Sequence, residues 1–550
     1  MAGAGAAGMT AALVGALEGM QVLVCEKSGQ IGGTSATAAG TVWIPANTQS
    51  RRAGFADSVE DAQNYLDALC EGPEPRAHRA AFLSTGPVAI DYLESRSEVR
   101  FLPTGRHPDY RQLPGAAVSG RALIPQPFDG RLLGEQFVRV RAPIEEFMIL
   151  GGMMIAKADI EPLLGRFKSV GNFIHAARLG LRYAIDRLKY PRGTRLTMGN
   201  ALVARLFYGL LQQRVPVLFD APIEELVYED GRAVGARLRQ GGATLFVRAR
   251  RGIVLSTGGF GQNPAMRAAF MRSPVPQHSM ACEGNTGDGL ALAQAAGASV
   301  KQQRRGGLWT PASVTRRRDG TAGLYPHFLY DRAKPGLIAV NAAGRRFVNE
   351  GCSYHDFVEA MYESHQTAPT VPAYLICETA FVAAYGLGAI HPGTTDLSAH
   401  EACGYLTCAG SIHELARKLG IDAEGLAQTV AGHNGFAAAG VDADFGKGST
   451  ELNRFNGDPA NPGNPCLKPI VKAPFCAMAV WPADISVSAG LVTDAHARVL
   501  DAGGDPIGGL YACGNDMASI FMGHYPGPGT TLGPAIVFGY RAAMHAAHPT

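Results

Sequence analysis

Residues 3–8, Gly3-Ala4-Gly5-Ala6-Ala7-Gly8, form the G-x-G-x-x-G pattern of a dinucleotide-binding turn. Residues 9–18 are helix-like, and residues 21–25 form a short apolar strand that ends at Glu26. Glycines at this spacing allow a tight turn and close approach to a pyrophosphate, and an acid about 20 residues later suits ribose hydroxyls. The glycines alone would be weak evidence. Together with the helix, the strand and the acid, they predict a Rossmann-like α/β fold that binds a dinucleotide.

The residues before this turn depart from the usual pattern. The glycines normally follow a complete β-strand, but only Met1 and Ala2 precede them here. Two explanations stay open at this point: either the start of the chain was assigned too late, or the central strand of the sheet is missing. The second explanation would weaken both the sheet and the affinity for the cofactor.

Length and composition describe an ordinary globular protein. The chain has 550 residues, enough for two or three domains, and its net charge of +3 favours neither nucleic acid nor a polybasic membrane patch. Its ten cysteines include no C-x-x-C pair and no metal-ligand spacing, so we expect no metal site and reduced thiols. The apolar start lacks a basic n-region, which predicts no signal peptide. Because no membrane span is evident either, we expect a cytoplasmic protein.

Helix and strand patterns alternate through much of the chain. Residues 51–200 are irregular to helical, and we expect a helix over residues 163–189 with its arginines on a solvated face. From residue 201 the alternation returns. It predicts a helix over 201–212, a strand over 216–219, a hairpin of strands over 223–228 and 233–238, and a buried strand within 251–260.

The composition changes between residues about 305 and 485, where aromatic and histidine residues are more frequent. This indicates an inserted α+β domain. We therefore predict a discontinuous nucleotide-binding domain over residues 1–305 and 487–550, with the catalytic domain at residues 306–486. The strand at 497–500 and the run 509–515 return the chain to the first domain.

The stretch Tyr525-Pro526-Gly527-Pro528-Gly529 lies just before an apolar, helix-like run over residues 535–540. Tyr525 and a glycine N–H of this turn could both donate to one carbonyl oxygen, as in an oxyanion site. The N-terminus of the following helix could stabilise a developing negative charge. A Gly/Pro-rich loop before a helix is common, so this stretch is specific evidence for a function only when it is combined with the amino-terminal turn.

Five segments together resemble the 3-ketosteroid Δ1-dehydrogenase family, FAD enzymes of the fumarate reductase and succinate dehydrogenase flavoprotein superfamily. They are the amino-terminal turn, the loop Gly32-Gly33-Thr34-Ser35, the turn Thr257-Gly258-Gly259-Phe260, Arg346-Phe347-Val348-Asn349-Glu350, and the Tyr525–Gly529 stretch. The resemblance spans nearly the whole chain. It implies a Rossmann-like FAD-binding domain and 1,2-desaturation of a hydrophobic cyclic ketone, most specifically a 3-ketosteroid.

The resemblance also implies catalytic roles. Tyr354 would take the proton from C2, Tyr525 and the Gly529 N–H would polarise the C3 carbonyl, and flavin N5 would take hydride from C1. Tyr110 would support the base. A tyrosine has an ordinary pKa of about 10, so its anion must be favoured by neighbours before it can act as a base near neutral pH.

The residues expected to contact FAD come from several segments of the chain. Beyond the glycine turn and Glu26, the resemblance places FAD contacts in the second glycine loop, in the T-G-G turn and near the C-terminus. They are Gly3, Gly5, Ala6, Ala7, Gly8, Glu26, Lys27, Gly32, Gly33, Thr34, Ser35, Ile223, Thr257, Gly258, Gly259, Asp288, Gly514, Asn515, Gly529, Thr531 and Leu532.

Three alternatives stay open. A fumarate- or enoate-type reductase would need an arginine proton donor at the position that Tyr354 occupies. A Δ4-(5α) ketosteroid dehydrogenase shares the scaffold and should differ near Tyr525–Gly529. A non-catalytic flavin-binding protein would not need tyrosines at both positions. The sequence identifies no electron acceptor.

Overall fold

The computed structural model describes residues 1–70, 76–303, 306–317, 319–328 and 331–549, with the backbone alone at residue 157. Its α-helices are α1 (Ala6–Leu17), α2 (Gly33–Thr37), α3 (Thr48–Arg52), α4 (Val59–Cys70), α5 (Arg76–Arg96), α6 (Lys157–Leu164), α7 (Val170–Asp186), α8 (Met198–Gln212), α9 (Pro264–Phe270), α10 (Asp288–Gln294), α11 (Tyr354–His365), α12 (Thr379–Tyr385), α13 (Ser398–Ala402), α14 (Ile412–Leu419), α15 (Ala423–Ala439), α16 (Glu451–Asn456) and α17 (Leu532–Ala547). Short 3-10 helices cover Gly130–Arg139, Glu145–Phe147 and Gly514–Asp516.

The strands form two main sheets and several short ladders. They are β1 (Val24–Cys25), β2 (Val42–Trp43), β3 (Phe101–Pro103), β4 (Ala122–Pro125), β5 (Phe128–Asp129), β6 (Met148–Ile149), β7 (Met153–Met154), β8 (Arg195–Leu196), β9 (Val217–Leu218), β10 (Ile223–Glu229), β11 (Arg232–Gln240), β12 (Ala243–Arg248), β13 (Ile253–Leu255), β14 (His278–Ser279), β15 (Val300–Lys301), β16 (Gly307–Arg316), β17 (Ala322–Pro326), β18 (Leu337–Val340), β19 (Ala373–Glu378), β20 (Thr407–Ala409), β21 (Phe475–Val487), β22 (Gly490–Leu491), β23 (Arg498–Leu500) and β24 (Pro506–Ala512).

The segment before the glycine turn occupies the centre of the nucleotide-binding sheet. Ala2 forms parallel bridges to Cys25 on one side and Leu255 on the other. The Ala2 N–H donates to the Val254 carbonyl at 2.9 Å, and the Gly3 N–H donates to the Cys25 carbonyl at 2.8 Å. The central position of the sheet is therefore occupied by a very short segment, which bridges both neighbouring strands through Ala2.

This segment connects two sets of parallel strands. β1 pairs with β9 on one side of it, and β13 pairs with β24 on the other, both in parallel. β24 continues to β11, which carries the antiparallel neighbours β10 and β12. α1 packs against the sheet with α8 and α17, so its apolar residues lie in a core shared with the C-terminal helix. The Rossmann-like α/β fold predicted from the glycine turn is thus confirmed.

The second main sheet has the order β17-β16-β21-β19-β18, and β14 and β20 also pair with β21. The 13-residue β21 runs through its centre, and α11 packs on β16. Mixed helices and antiparallel strands fit the predicted α+β composition of this part of the chain. The sheet carries α11, whose first residue is Tyr354.

Local predictions from the sequence were accurate where the apolar pattern was strong. α8, β9, the hairpin of β10 and β11, β13 and β23 lie at the predicted positions. The single helix predicted over residues 163–189 is wrong, because the chain forms α6 and α7 with a break between Leu164 and Val170. Residues 51–200 also contain the short strands β3 to β8, which the sequence did not indicate.

Among the described helices, none combines the length and the apolar character that crossing a bilayer requires.

Candidate active site

A cavity of about 560 Å³ extends from the glycine turn of α1 to a cluster of tyrosines. This volume lies within the usual range for small-molecule sites. Most of the residues expected from the sequence to contact FAD or substrate line it. They are Gly3, Gly5, Ala6, Ala7, Glu26, Lys27, Gly32, Gly33, Thr34, Ser35, Ile223, Thr257, Gly258, Asp288, Gly514, Asn515, Gly529, Thr531, Leu532, Tyr110, Tyr354 and Tyr525.

Gly8 and Gly259, also expected to contact FAD, lie behind the cavity wall. A Cβ at Gly8 would lie 2.1 Å from the Gly3 carbonyl oxygen, so a side chain there would push α1 off the turn. The Gly259 N–H donates to Asp516 at 3.0 Å, and a Cβ there would meet Val487 at 2.5 Å. Both glycines therefore allow close packing of the wall.

The glycine turn and Glu26 form the polar end of the cavity. α1 begins at Ala6 with Gly5 as N-cap, and its first turn contains no acidic residue. The Ala6 N–H donates to the Ser35 hydroxyl at 3.2 Å. The Glu26 carboxylate, at the end of β1, accepts from the Ala4 N–H at 2.9 Å. A 12-residue helix that presents its positive end beside a fixed carboxylate suits a pyrophosphate next to ribose hydroxyls.

The second glycine loop and the T-G-G turn lie on either side of this end. Gly32 has φ +104° at the N-cap of α2, and the space beside Gly33 is open. The Thr34 hydroxyl accepts from the Cys282 N–H and from the Asn285 amide, both at 2.9 Å. These bonds tie the loop to the chain that leads into α10.

Lys27 forms an ion pair on the wall of the cavity. Its ammonium pairs with Asp288 at 2.7 Å and donates to the Thr286 hydroxyl at 2.7 Å. The contact joins the residue after Glu26 to the start of α10. Lys27 and Asp288 thus shape the cavity wall as a pair.

Sequence reasoning missed Asp516, which holds the T-G-G turn in place. Its buried carboxyl accepts from the Thr257 N–H at 2.5 Å and from the Thr257 hydroxyl at 3.0 Å. Burial raises its pKa to about 6, although the donated hydrogen bonds oppose that rise. The only signal in the sequence was its position directly after Gly514-Asn515, at the end of β24.

At the far end of the cavity, Tyr110, Tyr354 and Tyr525 form a compact cluster. Each is 6% exposed. The hydroxyls of Tyr110 and Tyr354 share a hydrogen bond of 3.1 Å, and Tyr525 lies edge-on to Tyr354 with ring centroids 5.2 Å apart. Tyr110 stacks on Tyr525 at 5.6 Å. Three hydroxyl-bearing rings from distant parts of the chain therefore meet at one apolar end of the cavity.

The protonation of Tyr354 depends on four neighbouring effects. Burial raises its pKa well above the ordinary value, and the nearby Tyr110 raises it further. A hydrogen bond with Tyr525 and the positive charge of Arg332 act in the opposite direction. Burial also raises the pKa of Tyr525, so both phenols are neutral in the free protein at neutral pH.

Arg332 is a second residue that sequence reasoning missed. Its buried guanidinium donates to backbone carbonyls: those of His327 at 3.0 Å and Glu350 at 2.7 Å, and also that of Phe328. These carbonyls hold the guanidinium where its positive charge acts on Tyr354. Burial lowers its pKa. No motif pointed to it, since its position depends on carbonyls from two separate segments of the chain.

The loop that carries Tyr525 and Gly529 is held in one conformation. The Pro526 carbonyl accepts from the Tyr110 N–H at 2.9 Å and from the Tyr65 hydroxyl at 2.7 Å. Gly529 has φ +98°, and a Cβ there would lie 2.6 Å from both the Thr41 carbonyl oxygen and the Trp43 nitrogen. Only glycine fits this position, where the backbone turns back to begin α17.

The residues present fit the predicted FAD. α1 offers a helix N-terminus for phosphate, Glu26 a carboxylate for ribose, and the 16-residue α17 begins at the wall beside Thr531 and Leu532. The tyrosines at the far end supply hydroxyl groups. Among the described residues, no three His, Cys, Asp or Glu side chains come together in a group that could hold a metal ion. A polar nucleotide end and an apolar, hydroxyl-bearing end within one cavity suit chemistry on an apolar molecule beside a flavin.

Known proteins resemble this chain over its full length. A family model for the FAD binding domain matches residues 1–532. The chain is 36% identical to a 4-oxocyclohex-2-ene-1-carboxylate 5-dehydrogenase of Sinomonas cyclohexanicum, over 99% of this chain and 92% of that one. It is 33% identical to a 3-oxosteroid 1-dehydrogenase of Mycolicibacterium smegmatis, over 98% and 95%.

A solved structure has the same fold. It is the 3-ketosteroid Δ1-dehydrogenase from Sterolibacterium denitrificans, in complex with 1,4-androstadiene-3,17-dione. The TM-score is 0.92 at 36% sequence identity, and the match covers 100% of this chain and 99% of that one.

Proposed function

The chain belongs to the FAD binding domain family and is an FAD-dependent oxidoreductase, and from this premise we propose that it introduces a C=C bond next to a ketone. The favoured reaction is 1,2-desaturation of a 3-ketosteroid. The observation that supports it best is the cluster of Tyr110, Tyr354 and Tyr525 at the apolar end of a cavity whose other end has the dinucleotide turn. When bound, FAD supplies the acceptor for the hydride that this reaction removes.

Tyr525 and the Gly529 N–H are the proposed donors to the ketone oxygen. A C–H next to a ketone is a weak acid, so the oxygen must be stabilised as enolate-like charge develops. Both residues lie on the loop fixed by the Pro526 carbonyl, which pre-orients the two donors. The second hydroxyl-bearing ring, Tyr354, then lies edge-on to Tyr525, beside the carbon that loses a proton.

Tyr354 is the proposed base. The Tyr525 hydroxyl can donate only one hydrogen bond. When it donates to the ketone oxygen, it no longer donates to Tyr354. Tyr110 is then the hydroxyl within reach of the Tyr354 oxygen, at 3.1 Å, and Arg332 supplies the positive charge that favours the phenolate. Tyr354 must lose its own hydroxyl proton before it can accept one from the substrate, and the supporting role that we propose for Tyr110 is to relay that first proton away.

The same geometry argues against the reductase alternative. A fumarate-type reductase needs a cationic proton donor at the first residue of α11, and Tyr354 stands there, buried and neutral. A purely flavin-binding protein would have no use for three buried hydroxyls facing one cavity. We therefore favour dehydrogenation.

A neutral ketone fits the cavity better than a keto acid such as the one named for the Sinomonas relative. Ile144, Phe147, Phe328 and Ile485 line the cavity together with the tyrosines. The lysine and arginine side chains among its described lining residues form ion pairs, Lys27 with Asp288 and Arg141 with Glu283. A buried carboxylate without a cation is costly, so a bulky, uncharged ring system is the better partner.

The holoprotein provides the test. It is mixed with 4-androstene-3,17-dione and an artificial electron acceptor, and 4-oxocyclohex-2-ene-1-carboxylate is offered in a parallel reaction. Steroid-dependent bleaching of the flavin, dye reduction and a 1,4-diene product are expected. Turnover of the keto acid with no response to the steroid would overturn the substrate assignment. Inertness to every cyclic ketone would overturn the reaction.

Two further assignments are part of the proposal. We place the division between the FAD-binding and catalytic parts at residues 1–305, 306–486 and 487–550. The site of action is the cytoplasm, where thiols stay reduced, as suits ten cysteines without a C-x-x-C pair.

A further inference from the structure

α6 and α7 present an apolar face to solvent. Large apolar side chains recur at spacings of three and four residues along these helices and their ends, which places them on one face. Seven of them are more than half exposed: Leu164, Phe167, Val170, Phe173, Leu181, Ile185 and Leu188. Monomeric proteins rarely leave contiguous apolar surface of this size uncovered unless it is an interaction site.

The side of α7 that faces the protein is polar. The buried Asp186 accepts from the Thr194 N–H at 2.7 Å and from its hydroxyl at 2.8 Å. His175 pairs with Asp159 at 3.0 Å, and the Tyr183 hydroxyl donates to the Leu150 carbonyl at 2.9 Å. An ordinary surface helix turns its apolar stripe toward the core, so the polarity of α7 is inverted. Its outward stripe is therefore not part of the core of this chain.

Basic side chains surround the apolar face. Five arginines and lysines between residues 158 and 190 are exposed, whereas the only exposed acid of that segment is Glu161. The other acids there, Asp159 and Asp186, are buried in the contacts just described. The five are Arg166, Lys168, Arg178, Arg187 and Lys189. The overall net charge of +3 conceals this local excess, which is why composition alone argued against a basic patch.

We propose that α6 and α7 form a docking surface that seats this protein on an anionic lipid bilayer. An apolar stripe flanked by arginine and lysine is the pattern of helices that lie in a membrane interface, where anionic headgroups attract the basic side chains. A second copy of this chain is a poorer partner. A symmetric contact would bring the two sets of basic side chains together.

The docking surface continues from the cavity wall. Ile144 and Phe147 line the cavity, and the β6–β7 hairpin that follows leads directly into α6. A protein seated by α6 and α7 would hold this wall close to the bilayer, where an apolar ketone concentrates. Only this last point, the route of the substrate, rests on the proposed function.

Vesicle co-sedimentation of the holoprotein tests the surface directly. The probe is phosphatidylcholine vesicles with and without phosphatidylglycerol. The triple variant Phe167→Ser, Phe173→Ser, Leu181→Ser removes apolar side chains from the docking surface. These side chains are exposed, so the fold should not depend on them. The matched control is Phe246→Ser, Val441→Ser, Val471→Ser, whose parent side chains are 74%, 65% and 68% exposed elsewhere on the chain.

Wild type and the control triple should bind the anionic vesicles, more weakly as salt rises, and the patch triple should partition at least about tenfold less. Failure of wild type to sediment, equal binding to pure phosphatidylcholine, or equal loss in the control would overturn the proposal. So would a dimer, seen by light scattering, that the patch triple converts to monomers. No substrate is present, so this result is independent of whether the protein turns over a steroid.

Discussion

Tyr354→Phe removes one oxygen from the tyrosine cluster and leaves the ring in place. The hydroxyl shares bonds with Tyr110 and Tyr525, and a neutral hydrogen bond contributes about 1 kcal/mol net. We therefore expect the free energy of unfolding to fall by about 1–2 kcal/mol. The protein should stay folded and keep its FAD.

The catalytic effect should be far larger. Loss of a general base lowers rates by about 10²- to 10⁴-fold, which corresponds to about 3–5 kcal/mol of transition-state stabilisation. Dye reduction with 4-androstene-3,17-dione measures kcat/KM, and flavin absorbance reports the bound cofactor. Thermal unfolding measures the smaller structural loss in the same samples.

Tyr362→Phe is the matched control. Tyr362 lies on the same helix, α11, and is 3% exposed, but it is not among the residues that line the cavity. Its buried hydroxyl has no hydrogen-bond partner among the described residues, so this variant should keep both its stability and its turnover. If Tyr354→Phe binds FAD and retains kcat/KM within about twofold of wild type, the proposed base is wrong.

Three further predictions concern the loop, the buried cation and acid stability. Gly529→Ala should lower both Tm and turnover sharply, because the new Cβ would overlap the backbone of residues 41–43. The control is Gly463→Ala, at φ +76° with open space beside it. It should lower the free energy of unfolding by only roughly 1 kcal/mol, the strain of an alanine in the left-handed region. Arg332→Gln should move the rising limb of the kcat/KM pH profile to higher pH, because loss of the Arg332 charge raises the pKa of Tyr354. Arg332→Lys keeps a positive charge and should shift the profile less. Identical profiles for wild type and Arg332→Gln would refute the effect. Burial raises the pKa of Glu350, but Arg346 and Lys447 outweigh this and lower it from 4.5 to about 2. The unfolded state then binds more protons, so about 3 kcal/mol of stability present above pH 4.5 should disappear as the pH falls toward 2. Tm measured against pH should fall less steeply in Glu350→Gln than in wild type, and equal slopes would contradict the prediction.

Local patterns in the sequence were sufficient for the nucleotide-binding end. The glycine turn, the helix after it and Glu26 are close in sequence, and α1 with β1 places them around one end of the cavity. The Tyr525–Gly529 stretch was informative for the same reason, because its turn chemistry and the start of α17 are local. The helix break at residues 165–169 was missed, since apolar spacing alone continued across it.

Contacts between distant segments could not be predicted in this way. Asp516 holds the turn at Thr257, 259 residues away, through bonds that no local pattern indicates. The Arg332 charge acts on Tyr354 only because carbonyls from two separate segments hold the guanidinium. The outward apolar face of α7 was also hidden, because periodicity shows that a stripe exists and not which way it points.

The sequence by itself determined the class of cofactor and the family resemblance, since these rest on residue types at short, fixed spacings that set backbone geometry. Tertiary structure alone decided that the hydroxyls of Tyr110 and Tyr354, 244 residues apart, lie 3.1 Å from each other, and how their burial and the Arg332 charge oppose each other. The physical reason is that desolvation and Coulomb interactions depend on distance in space. Only the folded chain sets those distances.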